Sequence, residues 1–197
     1  MTETRSYPRH VKTDAGDIEF RLMARADEAA VLAFARKLPT HDLLFLPRNI
    51  SEPKVLSAWI NEIEQGAITS LLALKDGRVA GCGTLVRDPH SWSPHVGEIR
   101  MVVSLDVRGQ GVGRALLQET FAIALGAGLE KLSAQMTVDQ RAAIALFESL
   151  GFKAEALLRD HVRDLDGKTH DIVVLGHNIA QVQAQMEAYG LPDAVQH

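Results

Sequence analysis

The stretch from Glu98 to Leu117, Glu-Ile-Arg-Met-Val-Val-Ser-Leu-Asp-Val-Arg-Gly-Gln-Gly-Val-Gly-Arg-Ala-Leu-Leu, constrains what this chain can fold into more than any other. It opens with an apolar, β-branched run, which reads as a buried strand. The run ends at a loop with Gly109, Gly111 and Gly113, and a helical period then begins, with Val112, Leu116, Leu117, Phe121 and Leu125 on its apolar side. A strand that passes through glycines into a helix N-terminus is an arrangement that binds phosphates. The first turn of a helix has backbone N–H groups without intrahelical partners, and the helix dipole adds partial positive charge there. Glycine lets such a backbone approach an anion closely and take a positive φ without a Cβ clash. Arg108 and Arg114 flank the loop and add attraction. The segment predicts a ligand that carries a pyrophosphate.

Two nucleotide-binding patterns fit poorly. A Walker loop needs Gly-x-x-x-x-Gly-Lys-Ser/Thr, and no Lys-Ser/Thr pair follows these glycines. A dinucleotide fold needs Gly-x-Gly-x-x-Gly with an acidic residue about 20 positions on. Here the glycines alternate at 109, 111 and 113, and position 131 is Lys131. A third pattern fits better. Arg108-x-x-Gly111-x-Gly113 resembles the acyl-coenzyme A motif of the GNAT acyltransferase superfamily, Gln/Arg-x-x-Gly-x-Gly/Ala. A second region, from Val138 to Phe152, resembles that superfamily's Asn-x-x-Ala-x-x-Leu-Tyr-Glu-x-x-Gly-Phe helix and turn. The resemblance runs from about Ile18 to Leu175.

The resemblance implies an α/β fold: one domain built on a mixed, mostly antiparallel sheet flanked by helices, with the cofactor between a splayed fourth and fifth strand. It implies acetyl-CoA as cosubstrate and a primary amine as acceptor, whether a small amine, an amino acid or a peptide N-terminus. The pantetheine arm would pair with the backbone of Met101, Val102 and Val103. The pyrophosphate would lie on Arg108, Gly109, Gln110, Gly111, Val112, Gly113 and Arg114, with Gln140 and Phe147 completing the cofactor site. The reaction would be direct attack of the amine in a ternary complex. A backbone N–H at Val102 or Val103 has the chemistry to polarise the thioester carbonyl and hold the developing oxyanion. The same three residues also read simply as buried strand.

An amine protonated at neutral pH must lose a proton before it attacks. Glu98, at the start of the cofactor strand, is the first candidate for the base, with His95, His90 and His161 as alternatives. Other members carry a Glu on the fifth strand, where this chain has Gln135, which cannot take a proton. The position of the family's tyrosine, which can protonate the departing thiolate, holds Phe147, and the motif's Asn is Gln140. Phenylalanine keeps the packing and removes the donor. These departures leave open a second reading, an acyl-CoA-binding regulatory domain with weak or no turnover.

The rest of the chain sets bounds. At 197 residues and 46% hydrophobic composition it has room for one domain with a substantial core. The net charge of −4 and the lack of a basic cluster argue against general nucleic-acid binding. A single cysteine, Cys82, precludes an intrachain disulfide and suits a reducing cytoplasm. Its place between Gly81 and Gly83 reads as a small buried residue rather than a catalytic thiol. The N-terminus lacks the apolar core of a secretory signal, and no apolar run has the length of a membrane span. The eight histidines show no local ligand spacing, so no metal site is expected. A homodimer is compatible with all of this.

Along the chain, residues 1–15 read as a polar extension that orders only against a partner or neighbour, residues 16–177 as the acyltransferase-like domain, and 178–197 as a terminal helix and tail. Period-2 alternation predicts strands over Asp17 to Met23, Ile68 to Leu74, Val79 to Val86 and Leu132 to Val138. Helices are expected after Asp27, after Ser51 as cap with Pro53 in the first turn, and after Asp139 as cap. Hairpins should turn at Asp76-Gly77 and Asp166-Gly167. Selectivity for the acceptor is expected from Pro39 to Pro53, Asp88 to His95 and Arg159 to Asp171, with Phe45, Trp59 and Trp92 as candidate pocket walls.

Overall fold

Alternating apolar residues assemble one eight-stranded sheet, seen in a computed structural model that describes residues 5–180. The strands are β1 (Arg9–Thr13), β2 (Gly16–Leu22), β3 (Ile68–Lys75), β4 (Arg78–Val86), β5 (Val96–Val103), β6 (Lys131–Thr137), β7 (Lys153–Arg163) and β8 (Thr169–Asn178). Their order is β1-β2-β3-β4-β5-β6-β8-β7. Every neighbouring pair is antiparallel except β5–β6, which is parallel. Among the described residues the α-helices are α1 (Glu28–Ala35), α2 (Pro53–Glu64), α3 (Val112–Gly126) and α4 (Arg141–Ser149).

The sheet is covered on both faces because its central strands alternate two apolar sets. On β3, Leu72 and Leu74 pack with Val31, Phe34, Leu56 and Ile60 of α1 and α2, whereas Leu71 and Ala73 pack with Val112, Ala115 and Leu116 of α3. On β5, Val102 faces the α1–α2 side while Ile99 joins Leu117, Ala134, Phe147 and Phe152 on the α3–α4 side. Cys82 lies in the α1–α2 core at 2% exposure, and burial pushes its thiol up to about 12, so it stays an unreactive thiol.

Several sequence expectations change here. Within the stretch read as an extension, Arg9–Thr13 is part of the fold and pairs with β2 as β1. Arg5 and Tyr7 then close on the buried carboxylate of Glu119 in α3, at 2.7 and 3.0 Å. The polar look of this segment misled because Arg5, Tyr7 and Arg9 meet a buried acid rather than solvent. Ser51 does not cap α2, whose N-cap is Glu52 with Pro53 in the first turn. Asp139 does not cap α4, whose N-cap is Gln140. The extra strand also shifts the numbering, so the fourth and fifth strands of the sequence reading are β5 and β6. The two-residue turn at Asp76 and Gly77, both at positive φ, forms as expected. The terminal helix expected from residue 178 lies almost wholly outside the described residues; β8 continues through Asn178, and Ile179 is buried in the α3–α4 core. Among the described residues, no helix is long and apolar enough to cross a membrane.

Candidate active site

The sheet opens where β5 and β6 part. Val96, Gly97 and Glu98 pair with Lys131, Leu132 and Ser133, and the pairing stops there although both strands continue. Met101, Val102 and Val103 keep their partners on β4, opposite Gly83, Cys82 and Gly81. Their other edge faces the split with no strand beside it. A parallel pair that separates after a few rungs leaves main-chain donors and acceptors available to a ligand.

The loop beyond β5 aims a helix N-terminus at the same end of the split. Gly109 and Gly111 sit at φ +71° and +83°, where a side chain would strain the backbone. Gly111 is the N-cap of α3, and the first turn of that helix carries no acidic residue. The N–H groups of Val112, Gly113 and Arg114 precede the first i→i−4 bond, made by Ala115 to the Gly111 carbonyl at 3.0 Å. Gly113 has a different reason: a Cβ there would touch Leu146 of α4 at 3.4 Å, so the glycine seats one helix against the other.

The arginines and glutamine of the loop are engaged with the protein. Arg108 donates to the Val103 carbonyl at 2.9 and 3.1 Å and pairs with Asp42 at 2.7 Å. Gln110 donates to the Asp106 carbonyl at 2.8 Å, and Arg114 to the Ser149 hydroxyl at 3.0 Å. The anion-binding capacity of this loop therefore rests first on backbone N–H groups.

Glu98 stands on the last paired rung, at the apex of the split. Strand alternation puts it on the α1–α2 side with Arg100 and Val102. Both of its oxygens accept from the Arg100 guanidinium, at 2.8 and 2.9 Å. Arg100 also lines a cavity of about 260 Å³ under α2, walled by Leu46, Ile50, Val55, Trp59 and Val86. Trp59 is thus a pocket wall, its indole N–H buried and without a partner among the described residues. Trp92 is fully exposed and Phe45 packs on the α1–α2 core.

The sequence candidates His90, His95 and His161 are all exposed. Two other histidines meet near the split instead. His41, in the short 3-10 turn Thr40–Leu43, reaches Thr137 at the end of β6 and Asp139 beyond it, at 3.4 and 2.9 Å. His170 on β8 stacks edge-to-face on His41, ring centroids 5.1 Å apart, and pairs with Asp164 at 2.7 Å. The neighbour of His41, Asp42, holds Arg108 on the opposite lip. The turn therefore touches both sides of the split. No local spacing marked these residues, because the fold joins them from three separate elements. Gln135 is half-buried on the same face of β6 as Thr137, while Phe147 is 3% exposed and packs against Phe152 at 5.0 Å.

Residues 33–152 match the model of the Acetyltransferase (GNAT) family. The chain belongs to the GNAT family of acetyltransferases. The match takes in α2, β3 to β6, the glycine loop and α4, the elements that build the split. Over 74 residues, 38% of this chain, it is 34% identical to the [ribosomal protein bS18]-alanine N-acetyltransferase of Escherichia coli (strain K12), covering 50% of that protein. Over 86 residues, 43% of the chain, it is 37% identical to the IAA acetyltransferase of Azospirillum brasilense, covering 54% of it. The chain thus spans about half the length of these curated relatives. The fold matches more completely. A GNAT-family acetyltransferase from Streptococcus pneumoniae superposes with a TM-score of 0.71 at 22% identity, over 82% of this chain and 99% of that one. The yncA protein of Salmonella typhimurium, solved with its cofactor acetyl-CoA, superposes with a TM-score of 0.70 at 20% identity, over 82% of this chain and 94% of that one.

Proposed function

We propose that this chain is an N-acetyltransferase that moves the acetyl group of acetyl-CoA to a primary amine by direct attack in a ternary complex. The observation that carries the reading is the separation of β5 from β6 after three rungs, beside the N-terminus of α3. The pantetheine arm lies along Met101, Val102 and Val103, and the pyrophosphate takes the N–H groups of the loop from Gly109 to Arg114, with Arg108 adding charge. Gln140 and Phe147 flank the arm from α4. The amine nitrogen forms a bond to the thioester carbon, the C–S bond breaks, and coenzyme A leaves as its thiolate. A backbone N–H at Val102 or Val103 holds the oxyanion in between.

Glu98 takes the proton from the amine. Its bidentate pairing with Arg100 is largely shielded from solvent, so an incoming ammonium has to draw the carboxylate from a well-formed ion pair. The cavity beside Arg100 receives the apolar part of the acceptor against Leu46, Ile50 and Trp59. The named activity of the E. coli relative, on an alanine of ribosomal protein bS18, supports an amino-acid or peptide N-terminus within this class. The engagement of Glu98 by Arg100 and the phenylalanine at 147 favour one rival, an acyl-CoA-binding domain without turnover.

The test is thiol release from acetyl-CoA over a panel of amines, amino acids and short peptides, with calorimetric coenzyme A binding on the wild type and Gly111→Val. Turnover with one acceptor class, and binding lost in the folded variant, is the expected result. Binding without turnover across the panel would favour the rival. Equal affinity of the two proteins would remove the loop from the site.

A further inference from the structure

The two histidine–carboxylate pairs beside the split are not used by the proposed transfer. We propose that His41, Asp139 and His170 form a binding site for a divalent transition-metal cation of the zinc class, with Asp164 as the outer partner of His170. Each of the three residues offers one ligand atom, and those atoms all lie within 4.8 Å of one another, the only such group among the described residues. Ligand atoms around a tetrahedral zinc ion, at bonds of about 2.0–2.1 Å, stand roughly 3.3 Å apart. The His41–Asp139 contact, at 2.9 Å, is already near that spacing. Small side-chain rotations bring in the third ligand.

The donor set selects the metal class. Two imidazoles and one carboxylate suit zinc and its neighbours rather than magnesium or calcium, which favour oxygen alone. Three protein ligands leave a fourth position for water or a ligand. Metal-binding histidines generally give their other ring nitrogen to a carboxylate, which fixes the ring. The Asp164 carboxylate does this for His170 at 2.7 Å.

One divalent ion would join both neutral rings and the Asp139 carboxylate. The ligands come from the turn Thr40–Leu43, from the residue group beyond β6, and from β8. A bound ion therefore pins the turn to the β6 side of the split.

The experiment titrates zinc chloride into chelator-treated wild type, His41→Ala, His170→Ala, Asp164→Asn and the exposed control His161→Ala, by calorimetry and thermal melting. The expected result is one zinc ion per wild-type chain with a raised melting temperature, since a ligand bound only to the folded state stabilises it. Affinity should fall by about tenfold or more in Asp164→Asn and further in the two histidine variants, with the control unchanged. Absence of stoichiometric binding to wild type, or equal affinity in His41→Ala and wild type, would overturn the proposal. His41 is on a surface turn, so that variant decides the matter even if His170→Ala does not fold. The readout is binding of the metal alone, independent of whether acetyl transfer is observed.

Discussion

Glu98 shows how much, and how little, one residue's identity can say. Its place on an apolar strand, with Arg100 beside it on one face, follows from alternation that the sequence displays openly, yet its place on the last rung of the β5–β6 pair does not. Replacing Glu98 by Gln keeps the shape and removes the proton acceptor. Acetyl transfer near neutral pH should fall by about 10²-fold or more, with coenzyme A affinity unchanged by calorimetry. An unaltered rate would take the base role from Glu98. The tryptophans teach the same lesson at this scale. Trp59 and Trp92 were both candidate pocket walls, and packing on α2 makes one a wall and leaves the other in solvent.

At the scale of elements, glycines on β4 set how closely α3 can approach the sheet. A methyl group at Gly83 would overlap the Thr120 hydroxyl and stand 3.2 Å from a Leu116 methyl. Gly83→Ala should destabilise the fold by about 1–3 kcal/mol through overpacking, measured by urea unfolding. Adding Thr120→Ala removes the overlapping oxygen and should recover part of the loss; a fully additive double variant would refute the steric account. Most elements were legible because their apolar periods are strong: β3, β4, β6 and α4 all lie where alternation and helical spacing put them. The element that escaped was β1. Its residues alternate half-buried and exposed, and its order depends on pairing with β2 and on Glu119 accepting charge from Arg5 and Arg9. A strand whose partner is a buried acid on a distant helix leaves no local period to read.

For the whole molecule, acid should weaken the fold in two separate windows. Burial among Phe121 and Phe152 lowers the pKa of His177, so the folded state resists a proton that the unfolded chain accepts. That costs stability as pH falls below the unfolded value of about 6.5. Asp27 behaves otherwise: hydrogen bonds from Arg21, at 2.6 and 2.8 Å, hold its carboxyl below the usual range despite burial. Its contribution is present above the unfolded value of about 3.9 and is lost as pH falls through the lower folded value. Unfolding free energy measured against pH should therefore flatten in the upper window for His177→Leu. Asp27→Asn should flatten only the lower one, with a loss of about 1.5–3 kcal/mol at neutral pH. A wild-type curve level between pH 7 and 5 would refute the His177 part.

The glycine loop, the strand before it and the helix after it are local in sequence, so Gly109 to Arg114 read as a glycine turn into a helix N-terminus without any tertiary context. The apolar periods likewise determined a two-faced sheet with helices on both sides, because burial of each face depends on spacing along a single strand or helix. What the tertiary structure alone decided is which side chains meet. Arg108 on Asp42, and His41 between Asp139 and His170, depend on register, on the point where β5 leaves β6, and on where one short turn comes to rest. Side-chain chemistry between distant segments requires distances of a few ångströms, and no pattern along the chain encodes those until the sheet has closed around them.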